Sequence, residues 1–164
     1  MQNGGPPDND LSDWVGRSQD FIAVSIGYRL GLLGFMAHED LPSANAGLLD
    51  QRLAMQWVKQ NIRAFGGNPN DVTIMGESGG GLAIVSQLAL YDGDAQGLFQ
   101  KAITRSMQRS PMFKVEDLAD RNAVLFNLLN CTEGQSQIRC FQSASPSALV
   151  NAYNALSNYK ATDG

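Results

Sequence analysis

Hydrophobic positions change rhythm several times along the chain. Phe21-Ile22-Ala23-Val24-Ser25-Ile26 is a short, nearly continuous apolar run. Such a run predicts a strand covered on both faces, as in a parallel sheet. From Asp50 to Phe65 the spacing becomes helical, with Leu53, Trp57, Val58, Ile62 and Phe65 on one side. Gly66-Gly67 stops that helix, and Pro69 lies just beyond. Val72-Thr73-Ile74-Met75 predicts a second strand, Leu82 to Tyr91 a buried helix, and Lys101-Ala102-Ile103-Thr104 a third strand. Val115 to Leu129 has helical spacing, with Leu118, Leu125 and Leu129 aligned. Ser145-Pro146 combines a cap with proline at the first helical position. Leu149, Val150, Tyr153 and Leu156 then form an apolar stripe. Residues 1–13, rich in Gly, Pro, Asn and Asp, read as loop. Strands separated by helices predict an α/β fold with a mostly parallel sheet.

Composition narrows the class. The chain has 164 residues, 43% of them apolar and 17% charged, which suits one domain with a buried core. Its net charge of −4 lacks the basic excess of a nucleic-acid binder, so no nucleic-acid partner is expected. No run approaches the roughly 18 apolar residues of a transmembrane segment. Met1-Gln2-Asn3-Gly4-Gly5-Pro6-Pro7 has neither a charged n-region nor an apolar h-region, and does not read as a signal peptide. There is one histidine, His38, and there are two cysteines, Cys131 and Cys140.

One segment carries chemistry. Val72-Thr73-Ile74-Met75-Gly76-Glu77-Ser78-Gly79-Gly80 runs from a strand into G-x-S-x-G and then into a helix. That order is a nucleophile elbow, in which a sharp turn lifts a serine hydroxyl clear of the sheet. Gly76 and Gly80 are expected to be required there, because a side chain would collide with the neighbouring strand or helix. The N-terminus of the next helix offers N–H groups to an oxyanion. The bland alternative is a Gly/Ser turn without chemistry. Gly79-Gly80-Gly81 opens the helix with three glycines, each costing about 1 kcal/mol relative to alanine.

Phe65-Gly66-Gly67, followed by Val72 to Gly80, resembles the serine-site signature of the type B carboxylesterase/lipase family, which includes cholinesterases and fungal lipases. Val24-Ser25-Ile26-Gly27-Tyr28-Arg29-Leu30-Gly31, Gly34-Phe35, Ser43 to Arg52 and Gly97-Leu98-Phe99-Gln100-Lys101-Ala102-Ile103 extend the resemblance. Asp92-Gly93-Asp94 and the Cys131 to Cys140 loop lean toward the fungal lipases. The match covers roughly residues 21 to 157. Gly27 stands where the family usually has Asn, Leu32 where Pro is common, Gly79 where Ala is usual, and Ser106-Met107 where Ser-Gly is usual. Met107 is expected to crowd the site.

The resemblance implies a partial α/β-hydrolase fold with flanking helices. It implies Ser78 as the catalytic nucleophile, the Gly79 N–H as an oxyanion-hole donor, and Glu77 as a buried carboxylate beside the site. It also implies a small-molecule or lipid ester substrate, with an acylglycerol among the candidates, and neither metal nor organic cofactor. The expected organisation is one incomplete domain over residues 1–164. Residues 1–20 would be a loop-rich opening segment, 21–106 the sheet and elbow core, and 107–164 a helical region.

A serine hydroxyl needs a base. The α/β-hydrolase order is serine, acid, histidine, and His38 precedes Ser78, so His38 reads as a polar surface or loop residue. Glu133-Gly134 is similar to the family's acid-then-glycine pair but reads as solvated loop. The family's other oxyanion donors come from a glycine-rich turn, for which Gly4-Gly5 is the only candidate. The chain therefore reads as an internal piece of a longer hydrolase, without the triad acid and histidine. Two further readings compete. One is a non-catalytic, cholinesterase-like binding or adhesion protein, which the intact elbow opposes. The other is an inactive truncated product, whose open sheet edges would invite aggregation.

The resemblance pairs Cys131 with Cys140; two free thiols are the alternative. A zinc site is not expected from two cysteines without further ligands nearby. Asn130-Cys131-Thr132 fits the N-glycosylation sequence, with Asn130 as acceptor. Together with a disulfide it favours a secreted parent protein.

Overall fold

Two stretches with opposite packing habits organise the molecule, one around a short sheet and one purely helical. The computed structural model describes residues 11–107, 113–131 and 136–157. In chain order its main elements are α1 (Ser12–Ser18), α2 (Gly31–Phe35), α3 (Ala46–Asn61), β1 (Thr73–Glu77), α4 (Gly79–Ala89), β2 (Lys101–Arg105), α5 (Ala119–Leu128), α6 (Gln137–Ser143) and α7 (Pro146–Ser157). The chain divides into two compact units, Met1–Leu30 with Ala46–Ser110, and Gly31–Asn45 with Pro111–Gly164.

In the first unit β1 and β2 pair in parallel, from Thr73 opposite Lys101 to Glu77 opposite Arg105. A parallel pair needs a crossover, and α4 supplies it. Met55 of α3, Leu98 and Phe99 form a buried cluster, with Val72, Ile74 and Ala95 packed on it. Thr73, Met75 and Glu77 are exposed while Ile74 and Gly76 are partly covered, the alternation expected of a strand packed on one face.

The helix expected from Asp50 to Phe65 opens earlier, at Ala46, and ends as a 3-10 turn over Ile62–Phe65. Gly66 closes it in the left-handed conformation, with φ of 84°. Its period is as expected, but its phase is not. Gly47, Leu48, Gln51, Arg52 and Met55 are buried, whereas Leu53, Trp57 and Phe65 are exposed. Two of the buried positions are polar, and hydrogen bonds to Gln87 offset their desolvation.

The strand expected at 21–26 is absent: residues 19–30 carry neither helix nor strand. Phe21, Ile22, Val24 and Ile26 are all exposed. The only sheet among the described residues is the β1–β2 pair, so this apolar run has no ladder to join. Residues 12–18, placed in a loop-rich stretch by composition, form α1.

The second unit is helical. Met36, Leu125, Phe126, Cys131, Ile138, Phe141, Ala152 and Leu156 make one buried cluster. Cys131 and Cys140 are disulfide-bonded, with Cα atoms 5.7 Å apart. The side-chain amide of Asn122 donates to the Ala37 carbonyl at 2.7 Å. Ser145 Oγ accepts the Ala148 N–H at 3.2 Å, the cap that Ser145-Pro146 predicts for α7. The stretch around Cys140, expected to be loop, contains α6, which Ser136 caps by accepting the Arg139 N–H.

Candidate active site

β1 ends at Glu77 and α4 begins at Gly79, so Ser78 alone makes the turn. Its backbone sits at φ 52° and ψ −115°. A side chain in that region costs about 1–3 kcal/mol and is held only where its surroundings enforce it. The Ser78 N–H donates to the Arg105 carbonyl on β2 at 2.9 Å, and the Ser78 carbonyl accepts the Leu82 N–H at 3.1 Å. Both main-chain groups are thus engaged, while the hydroxyl does not cap α4. The residue is exposed. A serine at a helix start normally caps it; here the left-handed backbone aims the hydroxyl elsewhere.

Of the two glycines that flank the serine at −2 and +2, only Gly76 is required by contact. A Cβ on Gly76 would be driven into the Gly80 carbonyl and lie 2.9 Å from the Gly81 nitrogen. Gly76 is what lets strand and helix approach this closely. A Cβ on Gly80 would meet nothing within 4 Å, so the expected collision at that position is not found. Gly81 is the tighter site, with its Cβ position 3.2 Å from the Arg105 carbonyl and 3.4 Å from Met107 Cβ. Met107 therefore lies against the first turn of α4.

Glu77 differs from its expected buried state. It is exposed and 3.9 Å from the Arg105 guanidinium, which is its partner in the parallel register. Thr73, Met75 and Glu77, on one face of β1, are all exposed. His38 belongs to the second unit. Its Nδ1 accepts the Asp40 N–H at 3.2 Å, and its ring stands edge-on to Phe126 with centroids 5.5 Å apart. Gly4, Gly5, Glu133 and Gly134 lie outside the described residues. Asn130, Cys131 and Cys140 lie together at the end of α5 and on α6.

Two polar arrangements escaped the sequence reading. The Arg52 guanidinium is buried and donates to the Asp94 carbonyl at 2.7 Å, to Gln96 at 3.3 Å and to Gln87 at 3.4 Å. Its flat face lies 4.6 Å from the Tyr91 ring centroid. Gln87 in turn donates to the Leu48 carbonyl at 2.8 Å and to Gln51 at 3.2 Å. This network ties α3 to α4 and holds the turn at Tyr91 and Asp92, both at positive φ. Near the start of α3, Arg29 grips Asp50 through two 2.7 Å hydrogen bonds. The hydrogen bonds from Arg29 hold the Asp50 carboxyl below its usual range, and the same contact raises Arg29. Helical spacing signalled neither: it turned Leu53 and Trp57 inward instead of Arg52, and the partners of Arg52 and Asp50 lie far from them along the chain.

A model of the carboxylesterase family matches residues 8–163. The chain belongs to the carboxylesterase family. It is 38% identical over 167 aligned positions to Secreted lipase 1 of Botryotinia fuckeliana, covering 93% of this chain and 29% of that protein. It is 44% identical over 119 positions to the para-nitrobenzyl esterase of Bacillus subtilis, covering 71% of this chain and 24% of that protein. The crystal structure of Aspergillus niger EstA superposes with a TM-score of 0.84 at 30% identity, over 93% of this chain and 31% of that one. The chain thus spans under a third of the length of these relatives. Its small parallel sheet and flanking helices are part of the α/β-hydrolase fold of carboxylesterases. No described helix is long and apolar enough to cross a membrane.

Proposed function

We propose that this carboxylesterase chain is the nucleophile-bearing part of a serine ester hydrolase, and that its two units belong to one incomplete domain. The observation that carries the reading is Ser78: an exposed serine in a left-handed turn between β1 and α4, with its main chain bonded and its hydroxyl not spent on capping. Ser78 Oγ would attack an ester carbonyl carbon, and the carbonyl oxygen would take the negative charge. The Gly79 N–H, at the positive end of α4, would stabilise that oxygen. Expulsion of the alcohol leaves an acyl-enzyme, which water then hydrolyses. The proton from Ser78 needs a base. In this reading the base and its acid come from the longer parent protein, and His38 is not the base. The substrate is a carboxylic ester, an acylglycerol among the candidates, and the parent is secreted like the fungal lipase it resembles.

The test begins by mapping the ends of the natural transcript and expressing the whole reading frame. An active-site phosphonate should label Ser78 in that protein. Ser78→Ala should abolish labelling and lower hydrolysis of a short-chain ester by about 10⁴-fold or more. The 164-residue chain alone should show no turnover beyond its own Ser78→Ala control. A full-length protein that neither labels nor hydrolyses esters would favour the binding or adhesion reading. Ser78-dependent turnover by the chain alone would place the base within it.

A further inference from the structure

We propose that Asn130 is an N-glycan acceptor that must be modified before the Cys131–Cys140 bridge closes, so that glycan transfer and disulfide formation compete during synthesis. The proposal rests on the secreted reading of the parent protein.

Asn130-Cys131-Thr132 supplies the acceptor sequence. Thr132 itself lies outside the described residues. Asn130 is exposed at the end of α5, where an attached sugar would stand in solvent. Its backbone is left-handed, at φ 57°, a conformation asparagine tolerates better than most side chains. The Asn130 N–H donates to the Asn127 carbonyl at 3.1 Å, and the Cys131 N–H donates to the Phe126 carbonyl at 2.8 Å. These two bonds form a Schellman closure, with Asn130 as its left-handed residue. The residue that follows turns inward. Cys131 is 1% exposed, packs in the helical core with Phe126, and is bonded to Cys140.

The acceptor asparagine is therefore accessible while the middle of its recognition tripeptide is not. A transferase that recognises three consecutive residues must draw them out as a segment. In the folded chain that would require breaking the closure and extracting Cys131 from the core against its bridge. In the newly made chain neither constraint exists. In the transfer, a bond forms between Asn130 Nδ2 and the anomeric carbon of a lipid-pyrophosphate-linked oligosaccharide. The carbon–oxygen bond to the pyrophosphate breaks, the lipid pyrophosphate leaves, and a base of the transferase takes the amide proton. Bridge formation is a separate oxidation: the Cys131 and Cys140 thiols exchange with the disulfide of an oxidised dithiol carrier, which leaves reduced as its dithiol, and the two thiol protons pass through solvent to that dithiol. Whichever reaction comes first decides the fate of the site.

The chain is translated behind a supplied cleavable leader into endoplasmic-reticulum microsomes, and the glycosidase-sensitive fraction is read by gel mobility. Wild-type chain should be partly glycosylated, and both Asn130→Gln and Thr132→Ala should abolish the shifted band. Cys140→Ser, or a reductant present during translation, should raise occupancy by about twofold or more by removing the competing oxidation. Leu156→Ala weakens the same core but keeps both cysteines, and should raise occupancy less than Cys140→Ser. Full occupancy in wild type, unchanged by Cys140→Ser, would overturn the competition. No glycan in either oxidised or reduced chain would overturn the acceptor. Because the leader is supplied, neither result depends on the residence of the parent protein, which the transcript's own leader decides.

Discussion

The helical unit and the sheet-bearing unit bury their apolar residues to different degrees. In the helical unit Leu125, Phe126, Ile138, Phe141 and Leu156 share one core with a disulfide. In the sheet-bearing unit the clustered core is Met55, Leu98 and Phe99, while Phe21, Val24, Leu53, Trp57, Met75 and Ile103 stay exposed. Helices satisfy their backbone internally, so three short ones and a bridge can close a core of their own. A strand satisfies its backbone only through neighbours. A two-stranded parallel sheet has two open edges, and β2 has every residue exposed. The difference teaches that the unit holding the proposed nucleophile, Ser78, leaves more apolar surface uncovered among the described residues than the helical unit does.

Four measurements would break or sharpen that contrast. The largest effect is expected in the helical unit, where Leu125→Ala should cost about 4 kcal/mol by leaving a cavity in a closed core. Denaturant unfolding followed by a probe in that unit would show it. Next, Gly76→Ala should cost about 3 kcal/mol, because the added carbon has to force β1 away from α4. The readout is faster hydrogen exchange across Gly79–Ala89, with α5 and α7 unchanged. Third, Leu53→Ala should shift stability by no more than about 0.5 kcal/mol, as for an uncovered surface residue. A cost comparable with Leu125→Ala would mean that the face is covered in solution.

The smallest effect concerns pH. The carboxyl of Asp50 titrates lower when folded than when unfolded, because Arg29 hydrogen-bonds its charged form. Its contribution is fully present above the ordinary aspartate value of about 4 and fades as pH falls through the lowered folded value. Unfolding midpoints at about pH 6 and about pH 3 should therefore differ more for wild type than for Asp50→Asn.

The elbow was legible because its determinants are local. A β-rich run, a glycine two residues before a serine and glycines after it predict strand, sharp turn and helix without reference to anything distant. The same locality served α7, whose serine cap and proline sit side by side. Three features were not legible. The 21–26 run is apolar enough for a strand, but strand identity is conferred by a neighbour. The buried face of α3 includes Gln51 and Arg52, whose burial depends on Gln87, Asp94 and Gln96 far along the chain. α6 is short, and its cap, Ser136, sits in a stretch whose composition reads as loop. At the candidate site, sequence picked out Ser78 and its glycines as the turn between β1 and α4. It could not tell that, of Gly76 and Gly80, contact forces only Gly76, while Gly80 faces open space and Gly81 is the tight position in the helix.

The parallel pairing of β1 with β2 has a consequence for the order in which the molecule is made. A hairpin strand meets its partner within a few residues, but Thr73 waits for Lys101. While the chain leaves the ribosome, the segment holding Ser78 must emerge, and α4 must follow it, before Arg105 exists to receive the Ser78 N–H. The turn is thus completed from behind, by a strand synthesised after it. A pause in translation between the two strands would prolong the time that β1 is exposed to other chains.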